Sequence, residues 1–415
     1  MKILWFTNTP SLASGYYGCE YAGGGWISGL ESAIHEHTEI ELAEVFLTNS
    51  KNSSVVLGKT LYFPVLRREN SIQKLINRHF NRVSTKKYLK DYLKIIDEFK
   101  PDIIQIFGTE NGFSSLCGNT KVPVCIHLQG ILSGIEQYFL PENNSKLDLL
   151  RYSSLMRILK GTSLLHIYMN FRRRAKRELR CLPLCHYYLG RTTYDKTFIM
   201  RHAPNATYFH CDELLRNGFY ETKGWINPVN EKFIILTINN GEIYKGIDIV
   251  LKTASVLKEA GLIFEWRIAG VDQSNEVLHL FEGKTKLSHK DLSIKCLGKL
   301  NAEHIIEQMK ESNLFVHTSK VDNSPNSVCE AMLLGMPVIA FNVGGVSSLI
   351  DSDCGILINR VESSELAKEI LQAVSSPDHL EKIGRSARLV ASDRHNPAKV
   401  LANLQKAYQK IIQKV

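Results

Sequence analysis

The fold is decided by residues 317–345, whose sequence is HTSKVDNSPNSVCEAMLLGMPVIAFNVGG. The apolar run at 313–317 predicts a β-strand that enters a polar loop. After that loop the pattern predicts a helix that starts near Ser327 and ends at Gly335, followed by a second strand at 338–341. A strand–loop–helix–strand unit of this kind is typical of doubly wound α/β sheets.

Two carboxylates in this stretch, Asp322 and Glu330, are separated by seven residues. One lies in the loop and the other about one turn inside the helix. The first turn of a helix has unpaired N–H groups and the positive end of the dipole, so the amides near Asn326 and Ser327 favour an anion such as a diphosphate. Carboxylates repel a phosphate, and we therefore expect these two to accept hydrogen bonds from sugar hydroxyls. The stretch predicts a nucleotide-sugar site, and the plainer alternative is an ordinary βαβ unit with a solvated carboxylate.

The same stretch resembles the motif of retaining, family-four-type glycosyltransferases. Residues 330–332, Glu-Ala-Met, match that motif, as do 335–338, Gly-Met-Pro-Val, and the glycine pair at 344–345. Asp322 stands where the family has Glu, which keeps the charge but shortens the reach by one methylene group. The resemblance implies the GT-B fold: two doubly wound, Rossmann-like α/β domains that face an interdomain cleft.

Length and composition agree with two soluble domains. The chain has 415 residues, and this length is more than one hydrophobic core usually supports. Its composition, 44% hydrophobic and 22% charged, is ordinary for a soluble globular protein. No apolar run approaches the roughly 20 residues of a membrane span. The N-terminal MKILWFTNTP predicts a first strand and not a signal peptide, because its apolar run is too short. The nine cysteines lack paired metal spacing, which fits reduced thiols in a cytosolic protein.

Strand-like and helix-like segments alternate along the whole chain, without a repeat. We predict a first domain over 1–216, a second over 217–395 with a polar linker at 217–231, and a final helix at 396–415 that the resemblance joins to the first domain. Strands are predicted at 2–6, 40–46, 103–107, 122–127, 185–190, 233–238, 265–269, 294–297, 314–317 and 338–341, and helices include 71–100, 247–260 and 302–312.

Positive charge is concentrated in the first half, where segments 74–90 and 151–180 are basic and interrupted by apolar residues. A basic helix with an apolar stripe suits an anionic membrane surface, and a solvated helical face is an equal alternative. No nucleic-acid motif accompanies the charge, so we expect no nucleic-acid partner. The prediction is a cytoplasmic protein, with a possible peripheral position at the inner face of the plasma membrane.

A glycine-rich loop follows the first predicted strand. Gly23, Gly24 and Gly25 precede Trp26, and glycine lets backbone N–H groups approach a phosphate without a Cβ in the way. Alone the pattern equally fits a dinucleotide loop or a plain turn. With the motif in the second half, it resembles the family's first-domain loop, which places Gly24 and Gly25 at the donor diphosphate. We place Trp26 on the acceptor side of the cleft.

The first strand of the second domain is followed by a second family-like loop. Lys245 and Gly246 match the family's Lys-Gly, whose cation holds the donor diphosphate. Asn240 occupies roughly the position of the family's Arg, so half of that clamp is a neutral donor here.

First-domain strand ends also resemble the family. Gln129 takes the place of a His that commonly lies close to the donor sugar, and His127 precedes it on the same strand face. His127 is predicted for the acceptor side or the cleft, with a satisfied core histidine as the alternative. The Gly-Arg-Thr at 190–192 and the Glu-x-x-Arg at 213–216 resemble a bacterial polysaccharide subgroup, and they make Arg191 a cleft candidate, with an exposed helix-capping cation as the alternative.

The resemblance implies a hexosyltransferase-type enzyme, which moves a sugar from a nucleotide diphosphate sugar to an acceptor hydroxyl with retention of configuration. Its catalytic candidates are Lys245, Asp322, Glu330 and Gln129, and Glu330 also holds the donor. No cofactor or metal is expected, because protein cations can replace the ion. The expected partners are the nucleotide sugar and a glycan or lipid-linked saccharide acceptor of bacterial surface polysaccharide. A sugar-nucleotide epimerase of similar fold and a non-catalytic binding protein remain alternatives.

Overall fold

In the computed structural model, residues 1–18, 25–49, 53–69, 71–80, 87–140 and 145–414 are described. The chain forms two compact units. The first comprises Met1–Ser133, Met169–Arg216 and Arg394–Val415, and the second comprises Gly134–Tyr168 and Asn217–Asp393. The sequence assigns all of 1–216 to the first domain, whereas the contacts of residues 134–168 place that segment in the second unit.

The first unit is built on an eight-stranded sheet of order β3-β4-β2-β1-β5-β6-β7-β8. All neighbouring pairs are parallel except β3 with β4. The chain order reverses next to β1, so the loops after β1 and β5 lie at a switch point. The strands are β1 Lys2–Phe6, β2 Glu41–Thr48, β3 Val55–Leu57, β4 Thr60–Leu66, β5 Ile103–Phe107, β6 Val124–His127, β7 Tyr187–Gly190 and β8 Thr207–His210.

The second unit is built on a six-stranded parallel sheet of order β11-β10-β9-β12-β13-β14. Its chain order reverses between β9 and β12, which are hydrogen-bonded neighbours. Strands β12 and β13 are buried along their whole length, as expected for strands covered by helices on both faces. The strands are β9 Phe233–Ile238, β10 Phe264–Ala269, β11 Ile294–Gly298, β12 Leu314–His317, β13 Val338–Phe341 and β14 Ile356–Ile358.

Helices connect the strands in both units. They are α1 Gly25–His37, α2 Ser71–Phe80, α3 Leu89–Phe99, α4 Leu132–Glu136, α5 Lys146–Arg151, α6 Leu155–Leu159, α7 Leu164–Cys181, α8 Thr193–His202, α9 Asn217–Glu221, α10 Ile247–Glu259, α11 Glu276–Thr285, α12 Ala302–Glu311, α13 Asn326–Leu334, α14 Ser363–Val374, α15 Pro377–Arg394 and α16 Pro397–Ile412. The single helix predicted at 71–100 is therefore divided into α2 and α3.

The last helix, α16, packs in the first unit. Asn396 caps it by accepting a hydrogen bond from the Lys399 N–H, and Pro397 occupies its first turn. Leu404 and Tyr408 are buried in a cluster with residues of β1, β5 and α1. The Tyr408 hydroxyl donates to Gln105 Oε1 on β5, so one polar contact accompanies the apolar seam.

The segment predicted as a linker, 217–231, is packed onto the second unit. It begins with the short helix α9, which contacts α12 and α13. The Trp225 backbone N–H donates to the Leu334 carbonyl at 2.6 Å, and its indole N–H donates to the Ser312 carbonyl at 2.9 Å. Buried backbone groups need such partners. The polar segment 217–231, which the sequence predicted as a linker, therefore packs as part of the second unit.

Residues 134–168 also pack within the second unit. Lys284 Nζ lies 2.9 Å from Asp148 Oδ2, and Arg157 Nη1 lies 3.1 Å from Glu276 Oε2. The ring of Phe139 lies 6.4 Å from that of Tyr244. These contacts join α5 and α6 to α11 and explain why the segment leaves the domain that the sequence assigned to it.

Candidate functional site

The second sheet brings two loops together at its switch point. The loop after β9 carries Lys245, and the loop after β12 carries Asp322. Because β9 and β12 are adjacent and parallel, both loops leave the same edge of the sheet. In open α/β sheets this is where ligands bind.

Lys245 Nζ donates to Asp322 Oδ2 at 2.6 Å, and both side chains are mostly buried. The ring nitrogen Nε2 of His317, the last residue of β12, lies 3.3 Å from the same oxygen. Burial alone would raise the pKa of Asp322, but the Lys245 charge and the His317 contact outweigh it and hold that pKa well below its usual value. Asp322 is therefore an ionised anchor for Lys245.

The backbone around Asp322 is fixed by the glycine pair. The Gly345 N–H donates to the Asp322 carbonyl at 2.9 Å. Gly344 has φ +56°, and a Cβ there would lie 1.9 Å from the same carbonyl oxygen. Only glycine fits this approach, so the turn after β13 sets the position of the Asp322 loop.

The Lys245 loop is fixed in a similar way. Gly246 has φ +78°, and a Cβ there would lie 2.0 Å from the Thr318 carbonyl oxygen. The Lys245 carbonyl accepts hydrogen bonds from Thr318 Oγ1 at 2.8 Å and from Asn239 Nδ2 at 3.0 Å. Gly246 thus allows the two loops to pack closely, and its contact with the donor stays a prediction. Asn240 lies exposed in this loop, while its neighbour Asn239 shapes the turn.

Sequence reasoning missed two residues beside this site. His317 completes the contact with Asp322, and its only sequence signal is its position at the carboxyl end of a strand. Lys320 Nζ lies 2.7 Å from Asp248 Oδ2 on α10, and both side chains are largely buried. The Lys320 N–H also donates to the Tyr244 carbonyl at 2.8 Å, so this residue ties the two loops together.

The predicted helix start is confirmed at α13, which begins at Asn326. Pro325 precedes it, no side chain caps it, and its first turn holds no acidic residue. The first N–H groups of a helix have no acceptor within the helix, so Asn326 and Ser327 offer donors at this end. Asn326 Oδ1 is buried without a hydrogen-bond partner among the described residues. Glu330 lies one turn further on and is buried.

The first-unit candidates His127 and Trp26 lie in the interior. The Trp26 ring is 5.1 Å from the His127 ring and 5.4 Å from Phe107, and both candidates are buried. Burial, followed by the Arg191 charge, lowers the pKa of His127 to about 3, so the ring is neutral. Gln105 Nε2 donates to His127 Nδ1 at 3.3 Å. This burial favours the alternative of a core histidine for His127, and the acceptor-side or cleft role of His127 and Trp26 stays a prediction.

Arg191 is also buried, which excludes the alternative of an exposed helix cap, and its place in the cleft stays a prediction. Its Nη1 lies 3.4 Å from Glu213 Oε1, and its Nη2 donates to the Gln129 carbonyl at 3.0 Å. Its guanidinium lies 5.5 Å from the Trp26 ring centroid. The two motifs at 190–192 and 213–216 therefore meet in one buried ion pair. Gln129 itself is partly exposed at the end of β6.

The glycine loop is described only at its end. Gly23 and Gly24 lie outside the described residues, and Gly25 is the first residue of α1. Among the residues that the structure describes, no three His, Cys, Asp or Glu side chains form a group that could hold a metal ion. No helix in the described ranges is long and apolar enough to cross a bilayer.

The basic segment 151–180 exposes apolar residues in one part and buries them in another: Leu155, Met156 and Leu159 on α6 are exposed, whereas α7 buries part of its apolar face. Leu164 and Tyr168 on α7 are buried. Arg174 Nε and Arg177 Nη2 both donate to the Glu110 carbonyl, at 3.2 and 2.5 Å. These contacts hold α7 against the first unit, and the membrane position of segment 151–180 stays a prediction, with a solvated helical face as its alternative. The other basic segment is described over 74–80 and 87–90, and α2 exposes apolar residues there.

Solved structures share this architecture. Sucrose-phosphate synthase from Thermosynechococcus elongatus superposes with a TM-score of 0.73 over 100% of both chains, at 12% sequence identity. Anabaena HepE in complex with UDP-glucose superposes with a TM-score of 0.62 over 100% of both chains, at 17% identity. Identities this low show the fold alone. The fold is GT-B-like, with two Rossmann-like domains.

The loops that carry Lys245 and Asp322 lie in a segment that matches a family model. Residues 221–390 match the family model described as Glycosyl transferases group 1. An uncharacterized glycosyltransferase of Haemophilus influenzae is 25% identical over 216 residues, which are 50% of this chain and 59% of that protein. The amylovoran biosynthesis glycosyltransferase AmsK of Erwinia amylovora is 26% identical over 155 residues, 35% of this chain and 37% of its own. The chain spans about half the length of the curated relatives it matches.

Proposed function

We propose that this chain is a retaining glycosyltransferase that uses a nucleotide diphosphate sugar. The observation that carries the proposal is the pairing of Lys245 with Asp322 at the switch point of the second sheet, beside the uncapped start of α13. Both features lie within the residues that match Glycosyl transferases group 1. A structural neighbour, HepE, was solved with UDP-glucose, which supports this class of donor.

The chemical requirement is to stabilise negative charge on the departing diphosphate. The bond from the anomeric carbon to the diphosphate oxygen breaks, and its electron pair stays on that oxygen. Lys245 and the amides of Asn326 and Ser327 stabilise this charge, and preorganised donors of this kind often supply the largest catalytic effect. The acceptor hydroxyl oxygen bonds to the same face of the anomeric carbon, and its proton passes to the diphosphate. Gln129 donates to a sugar hydroxyl and transfers no proton.

The two carboxylates, Glu330 and Asp322, have different roles in this proposal. Glu330 holds the ribose hydroxyls from inside α13. Asp322 was predicted to hold the donor sugar, and its oxygens are already engaged: Oδ2 by Lys245 and His317, and Oδ1 by the Asn323 N–H at 2.9 Å. The geometry favours a first role in orienting Lys245, with one acceptor position of Oδ1 left for a sugar hydroxyl.

The proposed acceptor is a glycan or lipid-linked saccharide of bacterial surface polysaccharide. The similarity to an amylovoran biosynthesis enzyme supports this class of product. The proposed location is the cytoplasmic side of the membrane, and the support comes from α2, where Ile72, Leu75 and Ile76 are exposed beside Lys74 and Arg78. A basic helix with an exposed apolar face binds anionic lipid surfaces.

Catalysis without a metal ion is part of the proposal, because the charge of the leaving group is met by Lys245 and helix amides. No epimerase reaction is proposed, because the family model and the relatives that match this chain are described as glycosyltransferases. The test is incubation with a panel of nucleotide sugars and measurement of the nucleoside diphosphate that slow hydrolysis releases. Hydrolysis or binding of one donor is expected. A chain that neither binds nor hydrolyses any of them is not this enzyme.

A further inference from the structure

A cavity of about 460 Å³ opens at one edge of the first unit's sheet. Its lining includes residues 8–10 after β1, Thr48 at the end of β2, and Arg67 after β4. These strands are parallel neighbours, so the cavity lies at their carboxyl ends, the edge at which open α/β sheets bind ligands. No residue assigned above to the donor lines this cavity.

The lining is polar and carries more positive than negative charge. Arg67, Lys74 and Arg78 supply three cations, and Glu69 supplies the one carboxylate. Glu69 already accepts a hydrogen bond from Asn77 at 3.0 Å and lies 3.8 Å from Lys87 Nζ. In contrast, the three cations form no ion pair with any acidic side chain in the described ranges. Within the part of the chain that the structure describes, the positive charge of the cavity is therefore not compensated by an ion pair.

One helix face supplies much of this charge. Lys74, Asn77 and Arg78 are spaced i, i+3 and i+4 along α2, so they lie on the same face. The remaining lining is mostly amides and hydroxyls, among them Asn8 and Thr48. Arginine forks and amide N–H groups match phosphate oxygens in charge and geometry, whereas a neutral sugar needs no such excess of cations.

We propose that this cavity binds a phosphate group of the acceptor, an inference that rests on the proposed glycosyl transfer. The acceptor is then a phosphate-bearing saccharide, and not a neutral glycan. The phosphate has two possible sources: a soluble sugar phosphate, or the head group of a lipid-linked saccharide. The opposite face of α2 bears on this choice, because Ile72, Leu75 and Ile76 are exposed there and suit a lipid surface.

The test measures phosphate binding by calorimetry in the full chain, with excess nucleoside diphosphate present to occupy the proposed donor site. Two probes are used: glucose 6-phosphate in solution, and dodecyl phosphate in neutral phosphatidylcholine vesicles. Binding of the first identifies a soluble acceptor, and binding of the second alone identifies a lipid head group. Binding of either probe supports the phosphate site, provided that the controls, glucose and phosphatidylcholine vesicles without dodecyl phosphate, do not bind.

Variants locate the binding. Lys74→Ala/Arg78→Ala is expected to weaken probe binding by roughly 10-fold or more, the scale of one lost charge-assisted hydrogen bond. Arg67→Glu adds repulsion and is expected to weaken it further. The control Lys94→Ala/Lys121→Ala removes two exposed cations of the same unit that do not line the cavity, and it is expected to bind as the wild type does.

Equal binding by the pocket variant and its control overturns the proposal, as does the absence of binding by either probe. The proposed function is judged separately, by titration of nucleoside diphosphate alone. If nucleoside diphosphate fails to bind while the phosphate probes still depend on Arg67 and Lys74, the donor assignment fails and the phosphate site stands. The reverse result removes the phosphate site only.

Discussion

Lys245 Nζ and Asp322 Oδ2 are 2.6 Å apart, although 77 positions separate the two residues in the chain. Each comes from a loop at the switch point of the second sheet. Each loop packs against a glycine, Gly246 or Gly344, where a Cβ atom would clash with a backbone carbonyl oxygen. Breaking a fully buried pair by removing one partner costs about 3–5 kcal/mol, and less where solvent reaches the pair as it does here. Lys245 is thus held in place before any diphosphate arrives.

Gly344→Ala tests whether the glycine turn positions Asp322. The new Cβ would lie 1.9 Å from the Asp322 carbonyl oxygen, so the loop must shift and turnover should fall by about 10-fold or more. The control Gly261→Ala also has a positive φ but meets nothing within 4 Å. Steady-state kinetics measures the change in turnover, and thermal melting measures any change in stability. Equal turnover in both variants would show that the Asp322 loop needs no such support.

Glu44→Gln tests the buried carboxyl cluster of the first unit. Glu44 and Glu31 are buried and share the Ser11 hydroxyl, which donates to Glu44 Oε2 at 2.5 Å. Burial, followed by the Glu31 charge, raises the pKa of Glu44 from 4.5 to about 8. Because the pKa of Glu44 is higher in the folded state than in the unfolded state, its protonation stabilises the fold. This contribution to the free energy of unfolding is complete below pH 4.5 and is lost as the pH rises through about 8.

Chemical denaturation between about pH 5 and pH 8 measures that loss as a fall in the free energy of unfolding. Glu44→Gln removes the titrating group and should flatten the fall. Glu41→Gln, an exposed position on the same strand, is the control and should keep the wild-type slope. An unchanged slope in Glu44→Gln would place the titrating group elsewhere.

Chelation tests the proposed independence from metal. Because Lys245 and the helix amides meet the charge of the leaving group, transfer activity should persist in excess EDTA. Activity is measured before and after dialysis against the chelator. Complete loss that Mg²⁺ or Mn²⁺ restores would reveal a metal site that the proposal omits.

Sedimentation with anionic vesicles tests the proposed location. Each Lys or Arg near such a surface contributes roughly 1 kcal/mol, so α2 with Lys74, Arg78 and its apolar face should carry the protein into the pellet at low salt. High salt should release it through screening. Protein that stays wholly in the supernatant would leave a soluble acceptor as the proposal.

Local patterns predicted the central strands well. The bounds of β1, β5 and β9 match the predicted residues, since each strand is mostly apolar. Strand β4 was missed because Pro64 interrupts it, and proline normally argues against an interior strand. The edge strand β8 was missed because it is short and only half buried.

Local patterns also predicted some residues of the candidate site and missed others. Asp322 and Glu330 share one loop and helix, so their spacing alone indicated a common site. His317 and Lys320 were missed because their roles arise from contacts with other loops, which spacing does not encode. For His127, a period of two assigns a strand face but cannot tell a covered face from an open one, so the sequence left both a cleft residue and a core histidine open.

Lys245→Ala tests the central claim most directly, with the exposed Lys252→Ala on α10 as its matched control. The measurement is turnover at saturating donor, accompanied by a melting curve. If Lys245 stabilises the leaving diphosphate, its loss should lower turnover on the order of 10²-fold while Lys252→Ala keeps the wild-type rate. Equal turnover in the two folded variants would contradict the account and remove Lys245 from the mechanism.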